Sequence, residues 1–131
     1  RFQTGESSTE QMTTILVADD EKHIRELIEI TLQQNDYHVL SAADGESALE
    51  LATRERPQLA LLDIRMPRMD GYEVCRQIKQ DPALNNMPVI FISAKAQEDE
   101  IKMGYEAGAQ DYLLKPFDMD DLLLCVKRLL P

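Results

Sequence analysis

From Thr14 onward, five short apolar runs alternate with stretches whose apolar residues recur at helical spacing. The runs are Ile15-Leu16-Val17-Ala18, Tyr37-His38-Val39-Leu40, Leu59-Ala60-Leu61-Leu62, Val89-Ile90-Phe91-Ile92 and Tyr112-Leu113-Leu114. Four of the five are nearly continuous rather than alternating, as strands buried on both faces are. Between them, Ile24, Leu27, Ile28 and Leu32 share one helical face, and Ala48 and Ala52, with Leu49 and Leu51 nearby, a second. Val74, Cys75 and Ile78 form a third face, Ile101, Tyr105 and Gly108 a fourth, and Leu122, Cys125, Val126 and Leu129 a fifth.

The punctuation fits this division. Asp44 is placed to cap the second helix and Arg56-Pro57 to end it, while Gly108 suits a left-handed position after the fourth. Asp118 can cap the fifth, with Phe117 and Leu122 set as a hydrophobic staple. Helical crossovers of this length imply parallel strands covered on both sides. The expected fold is α/β: a doubly wound, five-stranded parallel sheet with five helices in the flavodoxin-like order 2-1-3-4-5. Residues 1–12 are polar and read as a flexible lead-in or expression remnant, leaving 13–131 as the folded domain.

Composition narrows the function. A formal net charge of -10 repels phosphate backbones and anionic lipid, so this domain is not expected to bind nucleic acid or membrane directly. Cys75 and Cys125 stand outside any C-x-x-C pattern and read as reduced thiols packed as small hydrophobes. No apolar run is long enough for a signal peptide or a membrane span, which makes a cytoplasmic location the expectation.

The chemistry collects at strand ends. The first run leads into Asp19-Asp20, the third into Asp63, the fourth into Ser93 and the fifth into Lys115. A parallel sheet gathers all these ends along one edge, where ligands bind. Each residue alone has an ordinary reading: an Asp caps a helix or turn, a Ser turns the chain, a Lys before Pro is solvated. Their convergence is what argues for a site. Three carboxylates and one ammonium carry a charge of about -2, which calls for protons or a cation. An all-oxygen donor set suits magnesium, while the absence of Cys and His beside the acids disfavours zinc. A carboxylate next to such a cation and a Lys can act as a nucleophile and form an acyl phosphate.

The segments ILVADDE, LALLDIRMPRMDG, VIFISAKA and AGAQDYLLKPF resemble the signature segments of response-regulator receiver domains, over the whole chain from about Thr14. The resemblance implies that Asp63 is the phosphoacceptor and that Asp20 and Asp63 ligate magnesium, or manganese in its place, together with the main-chain carbonyl of Arg65. It implies that Asp19 acts mainly through water, that Ser93, the amide of Ala94 and Lys115 contact the phosphoryl group, and that Tyr112 is the switch aromatic. It also implies a cis Lys115-Pro116 bond. A sensor histidine kinase or phosphotransfer protein would supply the group, and a changed surface of the fourth helix, fifth strand and fifth helix would control an output domain or protein. Such a domain catalyses only its own phosphorylation and dephosphorylation.

Arg65 and Lys95, each two residues beyond a site residue, are expected to flank the phosphoryl group and to shield it from water. Receivers of the winged-helix transcription-factor group carry an Arg in the fifth helix four residues after an acid. Asp121 is followed at that distance by Cys125, which argues against that salt-bridged form of a phosphorylation-dependent homodimer. Leu124 falls on the polar side of the fifth helix and is a candidate for partner or dimer contact. Three other readings stand beside this one. A phosphatase with an aspartyl intermediate usually has a second Asp where Arg65 stands. A nucleotide or flavin binder needs a Gly-rich loop where Asp19-Asp20-Glu21 stands. A degenerate receiver would serve as an unphosphorylated binding module.

Overall fold

A computed structural model of the protein describes residues 12–94 and 97–130. The five strands are β1 (Thr14–Ala18), β2 (His38–Ala42), β3 (Leu59–Asp63), β4 (Val89–Ser93) and β5 (Asp111–Leu114). Helices α1 (Lys22–Gln34), α2 (Gly45–Glu55), α3 (Gly71–Gln80), α4 (Glu98–Glu106) and α5 (Met119–Leu129) alternate with them. The strands form one parallel sheet in the order β2-β1-β3-β4-β5, the order expected from the sequence. The expected lead-in lies, apart from Met12, outside the described residues.

Alternation along each buried strand divides the core into two layers. Leu16, Ala18, Ala60, Leu62 and Phe91 pack with Ala48 and Ala52 of α2 and with Val74, Cys75 and Ile78 of α3. Ile15, Val17, Leu59, Leu61, Ile90 and Ile92 face Ile28 and Leu32 of α1 and Leu122 and Val126 of α5. Both layers are closed because β1, β3 and β4 are apolar at consecutive positions, so each strand supplies side chains to both sides. The edge strand β2 is only partly covered, with His38 and Ser41 exposed.

The helix ends follow the expected punctuation. The Asp44 carboxylate accepts from the Ser47 N–H at 2.8 Å, and that of Asp118 from the Asp121 N–H at 2.9 Å. Phe117 and Leu122 lie in one apolar cluster. Arg56 closes α2 at φ 50°, and Gly108 follows α4 at φ 108°. Asp70 also caps α3, accepting from the Glu73 N–H at 2.9 Å.

Two helical faces differ from expectation. Leu27 is 51% exposed, because it lies about 100° round the helix from Ile28, on which the buried face is centred. Thr31 takes the inner position instead, its hydroxyl donating to the Leu27 carbonyl at 2.9 Å. On α4, Tyr105 is exposed and Gly104 turns inward. The rings of Phe91 and Tyr112 fill the space beneath, within 3.2 Å of where a Gly104 Cβ would sit, so the residue without a side chain seats the helix.

Candidate functional site

Asp19, Asp20, Asp63, Ser93 and Lys115 come together at the C-terminal edge of the sheet. Asp63 ends β3 and is 5% exposed, Ser93 ends β4 and is buried, and Asp19 follows β1 at 0% exposure. Asp20 points to solvent. Carboxylate oxygens of Asp19, Asp20 and Asp63 all lie within 4.8 Å of one another. Lys115 Nζ reaches back from the end of β5 to lie 3.1 Å from Asp19 Oδ2 and 3.6 Å from Asp63 Oδ2. The Lys115-Pro116 peptide is cis.

Local contacts hold the first acid in place. The Asp19 N–H donates to the Ala42 carbonyl at 3.1 Å, extending the ladder past the end of β1. Asp19 Oδ1 accepts from the Glu21 N–H at 2.9 Å, while Arg25 of α1 donates to the Asp19 carbonyl at 2.7 Å. Among the described residues Asp19 Oδ2 is buried without an aligned hydrogen-bond donor, and the Lys115 ammonium 3.1 Å away offsets its charge.

The charges act on one another. Burial, reinforced by the negative charge of Asp19, pushes the Asp63 carboxyl up to about 7, even though Lys115 pulls it down. Burial works against the Lys115 ammonium, but Asp63, Asp19 and Glu21 outweigh it and leave its pKa raised. Glu21 contributes through Oε1, 3.1 Å from Lys115 Nζ.

Beside this cluster, a cleft of about 610 Å3 is lined by Asp20, Ile64, Arg65, Met66, Pro67, Asp70, Tyr72 and Glu100. The Arg65 N–H points to Asp63 Oδ1 at 3.4 Å. Its guanidinium does not lie over Asp63 but runs toward α4, 3.8 Å from Glu100 Oε2. The expected position of Lys95 falls outside the described residues, whereas Ala94 is described and exposed directly after Ser93. Tyr112 is half-buried with its ring edge-on to Phe91, which in turn meets Tyr72 edge-on. Burial raises the Tyr112 phenol, and a hydrogen bond with Ser93 opposes that rise.

Sequence reasoning thus located the acids, Ser93 and Lys115 but missed their supports. Glu21 adjoins the acidic pair, which was its one signal. Arg25, Tyr72 and Glu100 had none, because their contacts with the site join different elements.

The fold and the site's geometry together define a CheY-like α/β signalling domain. Residues 15–127 match the family described as the response regulator receiver domain, and the chain belongs to that family. It is 40% identical over 116 residues to PhoP of Bacillus subtilis, the alkaline phosphatase synthesis transcriptional regulatory protein, covering 88% of this chain and 48% of that protein. It is 37% identical over 119 residues to RpaA of Synechocystis sp., a DNA-binding dual master transcriptional regulator, covering 91% of this chain and 49% of that protein. The chain spans about half the length of the curated relatives it matches. Among solved structures, the chemotaxis response regulator CheY4 of Vibrio cholerae superposes with a TM-score of 0.87 at 31% identity, over 92% of this chain and 100% of that one. The beryllofluoride-activated DrrB receiver domain gives 0.82 at 35% identity, over 91% and 97% of the two chains. Among the described residues no helix is long and apolar enough to cross a membrane.

Proposed function

We propose that Asp63 accepts a phosphoryl group and that the resulting acyl phosphate switches the α4–β5–α5 surface. The observation that supports this best is the nearly buried Asp63 carboxylate lying close both to Asp19 and Asp20 and to the Lys115 ammonium. The donor set fits a magnesium or manganese ion: its side-chain oxygens are close together, and Asp19 Oδ2 lacks an aligned donor. Asp19, Asp20 and Asp63, with the Arg65 carbonyl, would hold the ion, which when bound would neutralise charge on the phosphoryl oxygens.

The chain's own groups do the rest. An Asp63 carboxylate oxygen forms a bond to phosphorus while the bond from phosphorus to the donor's imidazole nitrogen breaks. That electron pair stays on the departing nitrogen, which takes a proton from solvent. Lys115 offsets the charge gathered on the transferring group, and the Ser93 hydroxyl and Ala94 amide donate to its oxygens. Drawing Ser93 toward the phosphoryl group alters its hydrogen bond with Tyr112, and the Tyr112 ring repacks against β4 and α4. The donor is a phosphorylated histidine on a sensor kinase or phosphotransfer protein, the setting is cytoplasmic, and the receiver of the signal is an output domain or protein. No external substrate is turned over. Leu124, 66% exposed on α5, is a contact for that partner or for a second copy, and Leu124→Asp should weaken the association without unfolding the domain.

The test is intact mass after incubation with acetyl phosphate or phosphoramidate, with and without magnesium, for the wild type and Asp63→Asn. The expected result is one added phosphoryl group that requires both magnesium and Asp63. No gain under any condition would overturn the reading in favour of an unphosphorylated binding module.

A further inference from the structure

Among the described residues, the cleft beside Asp63 is lined by three acids, Asp20, Asp70 and Glu100, and by one cation, Arg65. The Arg65 side chain is 67% exposed, and its ion-pair partner among the described residues is a loose one, Glu100 Oε2 at 3.8 Å. Glu100 is better held. Its side chain is 22% exposed, and its main-chain carbonyl accepts from the Tyr72 hydroxyl at 2.9 Å, which fixes the first turn of α4 against the buried end of α3. Among the described residues its other oxygen, Oε1, is buried without a hydrogen-bond partner. A largely buried carboxylate therefore faces an exposed guanidinium at the mouth of the site, through Oε2.

An exposed ion pair at this separation is weak, so a stronger anion can take the Arg from it. A phosphoryl group on Asp63 is such an anion, with up to two negative charges and oxygens that suit the planar fork of an Arg. The Arg65 side chain has enough rotatable bonds to swing from one to the other, since its own N–H already faces Asp63 Oδ1. We propose that Glu100 is a positioning residue that holds the Arg65 guanidinium away from Asp63 at rest and competes for it after phosphorylation. This rests on the acceptor reading above. Glu100 thereby shortens the life of the acyl phosphate. Loss of the group proceeds by attack of water oxygen on phosphorus, with the bond to the Asp63 oxygen breaking, the carboxylate regenerated and inorganic phosphate released. An Arg65 drawn toward Glu100 leaves that approach open. The same competition ties α4 to the state of Asp63, because capture of Arg65 by the phosphoryl group frees the first turn of the helix from its ionic partner.

The experiment is a double-mutant cycle on the full chain. Wild type, Glu100→Gln, Arg65→Ala and the double variant are phosphorylated with acetyl phosphate, and loss of the group is followed by intact mass. The Arg65 Nε NMR signal is recorded in the unphosphorylated wild type and Glu100→Gln proteins. Glu100→Gln should lengthen the lifetime roughly threefold, the scale of a weak ion pair. It should change nothing in the Arg65→Ala background, and it should shift the resting Arg65 signal. A purely structural role for Glu100 would alter the lifetime equally in both backgrounds, and that result, or an unchanged lifetime, overturns the proposal. If no variant takes up a phosphoryl group, wild type included, the acceptor reading fails and this inference with it. Uptake with an unaltered lifetime sinks the positioning role alone.

Discussion

The Tyr72 hydroxyl donates to the main-chain carbonyl of Glu100 at 2.9 Å, joining α3 to the first turn of α4 behind the site. Tyr72 is buried and also packs edge-on against Phe91, so the ring and the hydroxyl have separable roles. Tyr72→Phe keeps the packing and deletes the donor. We expect a loss of about 1 kcal/mol in urea unfolding, the usual net worth of one hydrogen bond. Amide exchange should quicken in α4 and stay unchanged in α3. Uniform quickening in both helices would mean that the bond does not specifically anchor α4.

Metal-free stability should depend on Asp63 in a defined direction. Its carboxyl is raised from an ordinary 3.8 to about 7, chiefly by burial and then by Asp19. The folded state therefore favours the protonated acid. That contribution is fully present below about pH 4, where the unfolded group also holds its proton, and it is lost as pH rises through about 7. Asp63→Asn removes the charge without the titration. Relative to wild type it should gain little at pH 4 and progressively more up to pH 7. Above that the gain should level off on the order of 4 kcal/mol, as read from unfolding curves in EDTA. Magnesium should raise the wild-type melting temperature more at pH 8 than at pH 5 and leave the Asn variant nearly unmoved. A pH-independent difference would show that the carboxyl is not held in this raised state.

The two thiols should differ in reactivity by far more than their shared chemistry suggests. Cys75 is fully buried, its thiol donating to the Ala107 carbonyl at 3.4 Å, and burial pushes its pKa up to about 11. Cys125 is half-buried on α5, and burial with the charge of Asp111 raises it as well. Because the thiolate is the reactive form, a water-soluble disulfide reagent at pH 8 should label Cys125 slowly and Cys75 only through opening of the domain. One thiol titrated in native protein and two in urea is the expected count. Rapid labelling of both would mean that the layer between α3 and the sheet opens easily.

Strand identity and sheet order were legible because burial on both faces leaves a run such as Leu59-Ala60-Leu61-Leu62 with no polar interruption until Asp63. The same property exposed the site, since Asp63, Ser93 and Lys115 are the first polar residues after apolar runs and topology aligns them. Helical phase was less legible. Leu27 and Tyr105 are as apolar as their neighbours, and only the neighbouring layers decide that Thr31 and Gly104 turn inward in their place. A satisfied hydroxyl and a missing side chain both hide from periodicity. Contacts such as Arg25 with the Asp19 carbonyl, or Lys115 with Glu21, depend on how loops bend at the sheet edge, for which spacing holds no record. The Arg65 guanidinium likewise lies beside Glu100 because of where α4 sits, a tertiary fact.

Gly104 offers the sharpest test of how α4 is seated. A Cβ at this position would meet Phe91 Cδ2 at 3.0 Å and Tyr112 Cδ2 at 3.2 Å, so an added methyl already requires a neighbour to yield. Phe91 is fully buried in the sheet and cannot move far, whereas Tyr112 is half-buried and can. Gly104→Val should therefore displace the Tyr112 ring, weaken its hydrogen bond with Ser93 and destabilise the domain by about 1–3 kcal/mol, the usual cost of overpacking. Helix propensity gives no reason for a loss here, since Gly is the poorer helix former. Adding Tyr112→Ala should recover part of the stability, because it removes one of the two clashing rings. The measurement is the urea midpoint of the two single variants and the double. A Gly104→Val protein as stable as wild type, or a double variant whose losses simply add, would show that α4 does not rest on these two rings.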